Sequence, residues 1–462
     1  MLNQLLLYFV AGFALLSIFI TSRAQTNATF FHGDSASGQS PGLLTLVFSQ
    51  VTTWIFARSL MNAAILGFYY GLWGTLAYAA YYLSFLTGAK IIDSVRFRHG
   101  FSSIQQFLMA RFGRIGTSCY NFVIGIRLIS EVFANLLVIG ILFGVAGSMS
   151  YTVTILAFAA ATLGYSVMGG LHASLRTDVF QMIVFLITLV VLIVLTINSG
   201  AYSIAALSFK AFVATEPGPV LLMVALLQVW SYPMHDPVMM DRGFLSDRET
   251  TRKSFLHAAW ISVLCIAAFG SLGILAGANA TSGEVMNDVL NRMLGEVPML
   301  LFSAALVISA MSTLDSTLSS SSKLVAIDMN LVEPTLQNGR LTMVAFMLMG
   351  VMFVFLGNQD LFSAVAVSGT ASMYLAPVIF FSLWGGRDDI PVWSYVCAFV
   401  MAITAAALYF TESSGYSAML GESHKYTKLL FLSLAVLIGG CLAFWIGGKT
   451  SPQSVSALQT SA

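Results

Sequence analysis

The chain has 462 residues, 58% of them hydrophobic and only 9% charged, against about a quarter charged in an ordinary soluble protein. Apolar runs of the roughly 20 residues that one helix needs to cross a bilayer recur from end to end, so the composition is that of a polytopic membrane protein. A formal net charge of +1 argues against nucleic acid or any extended polyanion as partner.

Continuous stretches such as VFQMIVFLITLVVLIVLTI exclude a transmembrane β-barrel, whose segments alternate over about ten residues. Cys119, Cys265, Cys397 and Cys441 lie far apart, without the spacing of a metal, redox or disulfide pair, and read as small core residues.

The first apolar segment, 3–21, has no Lys or Arg before it and Arg23 after it. That order favours a retained helix with its N-terminus outside over a secretory signal. Twelve further spans are predicted at 43–66, 72–92, 118–146, 151–168, 174–199, 219–235, 254–277, 298–325, 340–357, 360–385, 391–410 and 427–447. Starting outside, the cytoplasmic connections receive Arg23, Arg96, Arg98, Arg111, Arg114, Arg176, Arg242, Arg248, Arg252, Lys253, Arg340 and Arg387. The external ones keep only Lys210, Arg292, Lys425 and Lys428. This is the positive-inside bias of a multi-pass protein of a bacterial-type inner membrane, with a cytoplasmic C-terminus. The tail, 448–462, is polar and predicted to be disordered.

Four places break the apolar pattern within spans, where an ionisable residue costs roughly 2.5–3.5 kcal/mol on insertion scales. In SQVTTWIFARSLMN, Ser49, Gln50, Thr52, Thr53, Arg58, Ser59 and Asn62 crowd one helix. Arg58 needs an anion or several carbonyls, so this helix is predicted to line a polar cavity. In IGIRLISEVFAN, Arg127 and Glu131 are four residues apart and share a helical face. They read either as a self-contained salt bridge or as a guanidinium, oriented by Glu131, that grips a substrate carboxylate. In GGLHASLRTDVFQ, two glycines end one helix, and Thr177 and Asp178 stand where they could cap the next.

The fourth place is MSTLDSTLSSSS, residues 311–322. At helical spacing Ser312, Asp315, Ser316 and Ser319 form one stripe of oxygens. Hydroxyls can bond back to their own helix, but a buried carboxylate cannot be dismissed that way. Hydroxyl and carboxylate oxygens are ligands for a hard cation, which favours a Na⁺ site over the alternative of a protonated Asp315. Nearby, Pro233 and Pro237 in WSYPMHDPVMMDR interrupt a short span, as in transporters whose broken helices face substrate and ions. His235 and Asp236 beside those prolines read as loop-end geometry, not catalysis.

The segments TTWIFARSLMNAAILGFYYG, YSVMGGLHASLRTDVFQ and AALVISAMSTLDSTLSSSSKLVAIDM together resemble the sodium:solute symporter family, over about residues 25–385. The resemblance implies an all-α, LeuT-like core of two inverted five-helix repeats, 43–199 and 219–385. The N-terminal helix and loop, 1–42, would precede the core and two helices, 391–447, would follow it, giving about thirteen spans. It also implies a main Na⁺ site from carbonyls near Thr52 and Ile55 and the hydroxyls of Ser312 and Thr313. A second Na⁺ site, found in some members, would use Asp178, Ser312, Asp315 and Ser316. Asp315 departs from members with a hydroxyl there, which leaves the ion count open.

Substrate in the family sits at mid-membrane; here Trp54, Arg58, Ser59, Arg127, Gln228 and Tyr232 would surround it. Arg127 matches an arginine that holds the carboxylate of sialic acid in one branch, and Tyr232 falls near an aromatic inner gate. Trp54 replaces the polar or acidic residue of sugar and proline carriers, which argues against those solutes, and a small carboxylate or amino acid fits Arg58 and Arg127 better. The expected activity is Na⁺-coupled uptake. A proton-coupled carrier titrating Asp178 or Asp315, and a non-accumulating sensor or channel, are the alternatives. An intramembrane enzyme is not expected, because His172 and His235 assemble no nucleophile, base and oxyanion set.

Overall fold

A computed structural model describes residues 2–21, 23–34, 39–200, 207, 211–356 and 361–450. The described residues are helical, with no strand among them. In chain order the α-helices are α1 (Leu2–Ile20), α2 (Leu43–Trp54), α3 (Ala57–Ala80), α4 (Ser84–Ile92), α5 (Ile104–Phe143), α6 (Met149–Asn198), α7 (Pro217–Gln228) and α8 (Pro237–Gly243). They continue as α9 (Arg248–Ala278), α10 (Met286–Leu294), α11 (Glu296–Lys323), α12 (Leu336–Leu356), α13 (Leu361–Ser372), α14 (Leu375–Pro377), α15 (Val392–Ser413) and α16 (Lys425–Thr450). Most of the predicted tail, 451–462, lies outside the described residues.

A helix stands on each of the thirteen predicted segments. By length and composition, seven described helices can cross a membrane, or nine if each bent pair is one crossing. The count falls short of thirteen for two physical reasons: the apolar helices Gln4–Ile20 and Pro217–Gln228 are shorter than one crossing, and two longer helices each hold a break. α6 is 50 residues long, which at 1.5 Å per residue would be about 75 Å, far more than one ~30 Å crossing. Gly170, at φ 57° and ψ −143°, breaks it into two. A side chain at that left-handed position would also strike the ring of Phe30, 2.7 Å from an added Cβ. Gly71, at φ 61° and ψ −143°, divides α3 in the same way.

Two interruptions place the polar groups. α2 and the helix that starts at Ala57 are bent by 58° across Ile55 and Phe56. α7 gives way to a 3₁₀ turn, Tyr232–His235, before α8 begins at Pro237. Here the predicted role of the prolines is visible: Pro237 opens α8, and Asp236 caps it by accepting from the Met239 N–H at 3.0 Å.

α11 runs through the middle, its residues from Phe302 to Ser322 buried without exception. It packs against α2, α3, α5, α6, α8 and α12. The lipid-like apolar surface lies elsewhere: Phe19, Ile187, Val190, Leu264, Leu348 and Phe431 are among the exposed large side chains.

Candidate functional site

The break in the first core helix frees three carbonyls from helical pairing, and each is met by a hydroxyl. Tyr82 OH donates to the Trp54 carbonyl at 3.0 Å and Ser309 Oγ to the Ile55 carbonyl, while Thr313 Oγ1, which donates back to the Ser309 carbonyl at 2.9 Å, lies 3.5 Å from the Thr53 carbonyl. On the far side, the Ala57 N–H that begins α3 donates to Asn135 Oδ1 of α5 at 3.2 Å. A seam of neutral oxygens therefore joins α2 to α11. No charged side chain takes part in these contacts.

Of the predicted main-site residues, Thr52, Ile55 and Thr313 lie in or beside this seam, buried to 3% exposure or less. Ser312 points elsewhere, donating to Asp178 Oδ1 at 2.7 Å. Ser309 takes its place at the Ile55 carbonyl. The sequence signal for Ser309 was its spacing, four residues before Thr313 and hence on the same helical face.

One turn along α11 lies a second, charged cluster. Asp178 accepts from Ser49 at 2.6 Å, from Ser312 at 2.7 Å and from Ser316 at 3.4 Å. Asp315 accepts from Ser174 and Thr177, both at 2.9 Å. So Asp178, Ser312, Asp315 and Ser316 do converge. Thr177 and Asp178 are not caps, because the helix resumes directly after Gly170 and both residues are fully buried inside it. The predicted stripe also divides: Ser312, Asp315 and Ser316 bond to side chains of α6, whereas Ser319 bonds back to the Asp315 carbonyl at 2.9 Å; outside the stripe, Ser309 reaches the break and Ser320 reaches Asp241 of α8.

Arg242 corrects the loop assignment. Predicted in a cytoplasmic connection, it sits on α8 with 0% exposure. Its guanidinium lies 3.6 Å from Asp178 and donates to Ser316 at 2.8 Å and to Ser49 at 3.2 Å. Mean hydropathy marks no span over so short a helix, so sequence reading missed it; the single available signal was its position five residues after Pro237.

Of the predicted substrate residues, Trp54, Arg58, Ser59 and Tyr232 line a third region, while Arg127 lies behind Tyr232 and Gln228 behind Tyr81, outside its lining. Arg58 and Arg127 both pair with Glu131, and Arg127 also pairs with Asp236 at 2.9 Å. All four side chains are at most 3% exposed. The salt bridge foreseen between Arg127 and Glu131 is thus part of a neutral quartet of two cations and two anions. Trp54 Nε1 donates to Asp236 at 2.9 Å, and the ring of Trp54 meets Tyr232 edge-on at 5.8 Å. Ser59 accepts from Tyr78 OH at 3.0 Å, and Gln228 accepts from Tyr81 OH at 3.0 Å.

Within the quartet, Nε and Nη1 of Arg58, Nε of Arg127 and Oε2 of Glu131 are buried without a hydrogen-bond partner among the described residues. Such orphaned polar atoms are costly and call for an explanation. The space beside them, lined by Trp54, Phe56, Arg58, Ser59, Tyr78 and Tyr232 among others, is only about 20 Å³, room for about one water. A larger cavity of about 620 Å³ lies away from it, lined by Asp34, Gln105, Asp241, Lys323 and Asp328 among others. It reaches Asp241, which accepts from Lys323 at 2.5 Å and from Ser320 at 2.8 Å.

This architecture is shared with solved transporters. A Na⁺-coupled sialic acid symporter, in a substrate-bound outward-open state, is 15% identical with a TM-score of 0.66, over 96% of this chain and 98% of that one. Mhp1, a nucleobase-cation-symport-1 family transporter with bromovinylhydantoin bound, is 16% identical with a TM-score of 0.57, over 93% and 97%. A manganese transporter of Eremococcus coleocola is 11% identical with a TM-score of 0.52, over 88% and 94%. The fold is LeuT-like. No family model matches the sequence, and no curated protein does either.

Proposed function

We propose that the chain is a Na⁺-coupled symporter that imports a small organic solute by alternating access, oriented with its C-terminus in the cytoplasm. The observation that carries this reading is the oxygen seam. Carbonyls released by a broken helix face two hydroxyls of α11, and a dehydrated hard cation is the ligand such a set suits. Na⁺ would be held by the carbonyls of the 52–55 stretch with Ser309 and Thr313. Ser312 would act from beside them through Asp178. In crossing a potential of 100 mV, one such charge supplies about 2.3 kcal/mol, roughly fifty-fold accumulation.

The solute site proposed is the aromatic chamber of Trp54, Arg58, Ser59, Arg127, Gln228 and Tyr232. Because the quartet is already neutral, it favours a solute that brings both a donor and an acceptor. The unpaired Arg58 nitrogens suit a carboxylate or carbonyl, and Glu131 Oε2 suits an amine or N–H. An amino acid meets both needs. The chamber must widen to admit it, which a rocking of α2 and α7 about their breaks would provide.

The test is a thermal-shift screen of the purified chain against amino acids, small acids and sugars, with Na⁺ or with choline. An amino acid should stabilise the protein more strongly with Na⁺ present. Equal stabilisation in choline would sink Na⁺ coupling. Proton coupling through Asp178 and Asp315 is the second reading, favoured by the single guanidinium set against two carboxylates. Uptake that follows a pH gradient without Na⁺ would establish it instead.

A further inference from the structure

The charged cluster was expected to offer a second Na⁺ site, and the structure already has a cation in it. Arg242 Nη2 lies 2.8 Å from Ser316 Oγ, 3.5 Å from Ser174 Oγ and 3.6 Å from Asp178 Oδ2, while Nε donates to Ser49 at 3.2 Å. Two of the four oxygen-bearing residues assigned to that ion, Asp178 and Ser316, are therefore engaged by the guanidinium. A third, Ser312, donates its proton to Asp178. Ser174 extends the arrangement by bonding both to Ser316 at 2.8 Å and to Asp315 at 2.9 Å.

We infer that Arg242 is the resident cation of this second site, so that the chain carries one coupling Na⁺ at the α2–α11 seam and not two. This rests on the Na⁺-symport reading above. Another monovalent cation about 4 Å from the guanidinium would be repelled by it on the order of a thousand-fold in binding at an effective dielectric near 20, before the attraction of Asp315 is counted. A tethered cation also differs in consequence from a free one. It cannot be released on the low-Na⁺ side, so it adds nothing to the driving force. In this conformation it ties α8 to α2, α6 and α11 through Ser49, Asp178 and Ser316.

The experiment counts ²²Na⁺ bound per purified full-length chain and measures melting temperature in sodium, choline or dilute guanidinium chloride. Wild type should bind one Na⁺. Arg242→Ala should bind a second and melt lower in choline, with stability restored by Na⁺ or guanidinium. Arg242→Lys, which keeps the charge, should remain at one. Two ions in wild type would overturn the assignment, as would an Arg242→Ala chain that gains no ion and is rescued by neither cation. If that variant cannot be purified, the wild-type and Arg242→Lys counts still decide, because two ions in either contradicts a resident cation. Failure of the Na⁺ reading looks different: wild type would bind none, while rescue of Arg242→Ala by guanidinium would still report on the cluster.

Discussion

Two polar regions lie one turn apart on α11, and they are balanced in opposite ways. At the break near Ile55, carbonyls meet the hydroxyls of Ser309 and Thr313 with no charged side chain among the contacts. Beside it, Asp178 meets a guanidinium, which reaches Asp315 only through the hydroxyls of Ser174 and Ser316. Both regions are rich in buried oxygen, yet only the first lacks an internal cation. Oxygen content alone therefore does not identify an ion site; the charges already built into the protein do. The arginine–carboxylate quartet repeats the point, since it is neutral before any solute arrives.

The largest effect is expected where built-in balance is broken. Glu131→Gln leaves Arg58 and Arg127 short of their shared anion, and loss of one partner from a buried pair costs about 3–5 kcal/mol. The melting temperature of the purified chain should fall by many degrees; a change of a degree or less would mean that Asp236 alone satisfies both arginines. A smaller loss is expected at the uncharged seam. Thr313→Ala or Ser309→Ala removes one oxygen donor to a cation, about 1.5–3 kcal/mol, or ten- to a hundred-fold in the Na⁺ concentration needed for half-stabilisation. Unchanged Na⁺ dependence in both variants would remove the seam from the account.

Asn135→Ala uncaps the helix that begins at Ala57 and should lower unfolding stability by about 1 kcal/mol, as loss of a cap does elsewhere. Its Na⁺ requirement should shift less than that of Thr313→Ala. The control is Ser319→Ala. Because Ser319 bonds only to its own helix among the described contacts, the expected change is within about 0.5 kcal/mol, and a large Na⁺ phenotype would mean that α11 turns during transport.

The fold was legible because spanning a bilayer imposes apolar length. The helices stand on the predicted segments, and Gly71 and Gly170 punctuate them where the pattern pauses. The breaks were legible unequally. Pro233 and Pro237 announce the second, but no glycine or proline marks Ile55 and Phe56. That break is held by groups distant in sequence, Asn135, Tyr82 and Ser309.

The same limit hid Arg242, whose pairing depends on Ser49 and Asp178, 193 and 64 positions earlier in the chain. Ser312 and Ser319 show the complementary difficulty. Periodicity places hydroxyls on a face, while the choice between a neighbouring helix and a backbone carbonyl is made by packing. Arg127 and Glu131 could be paired from spacing, but the two further members of the quartet, Arg58 and Asp236, could not.

The most direct measurement follows amide hydrogen exchange across the break when Na⁺ replaces choline, with no knowledge of the solute required. A cation bound by carbonyls of 52–55 and hydroxyls of α11 should slow exchange in peptides covering residues 51–60 and 306–316, and Thr313→Ala should abolish that protection. Exchange in both segments that is identical in the two salts would contradict the account.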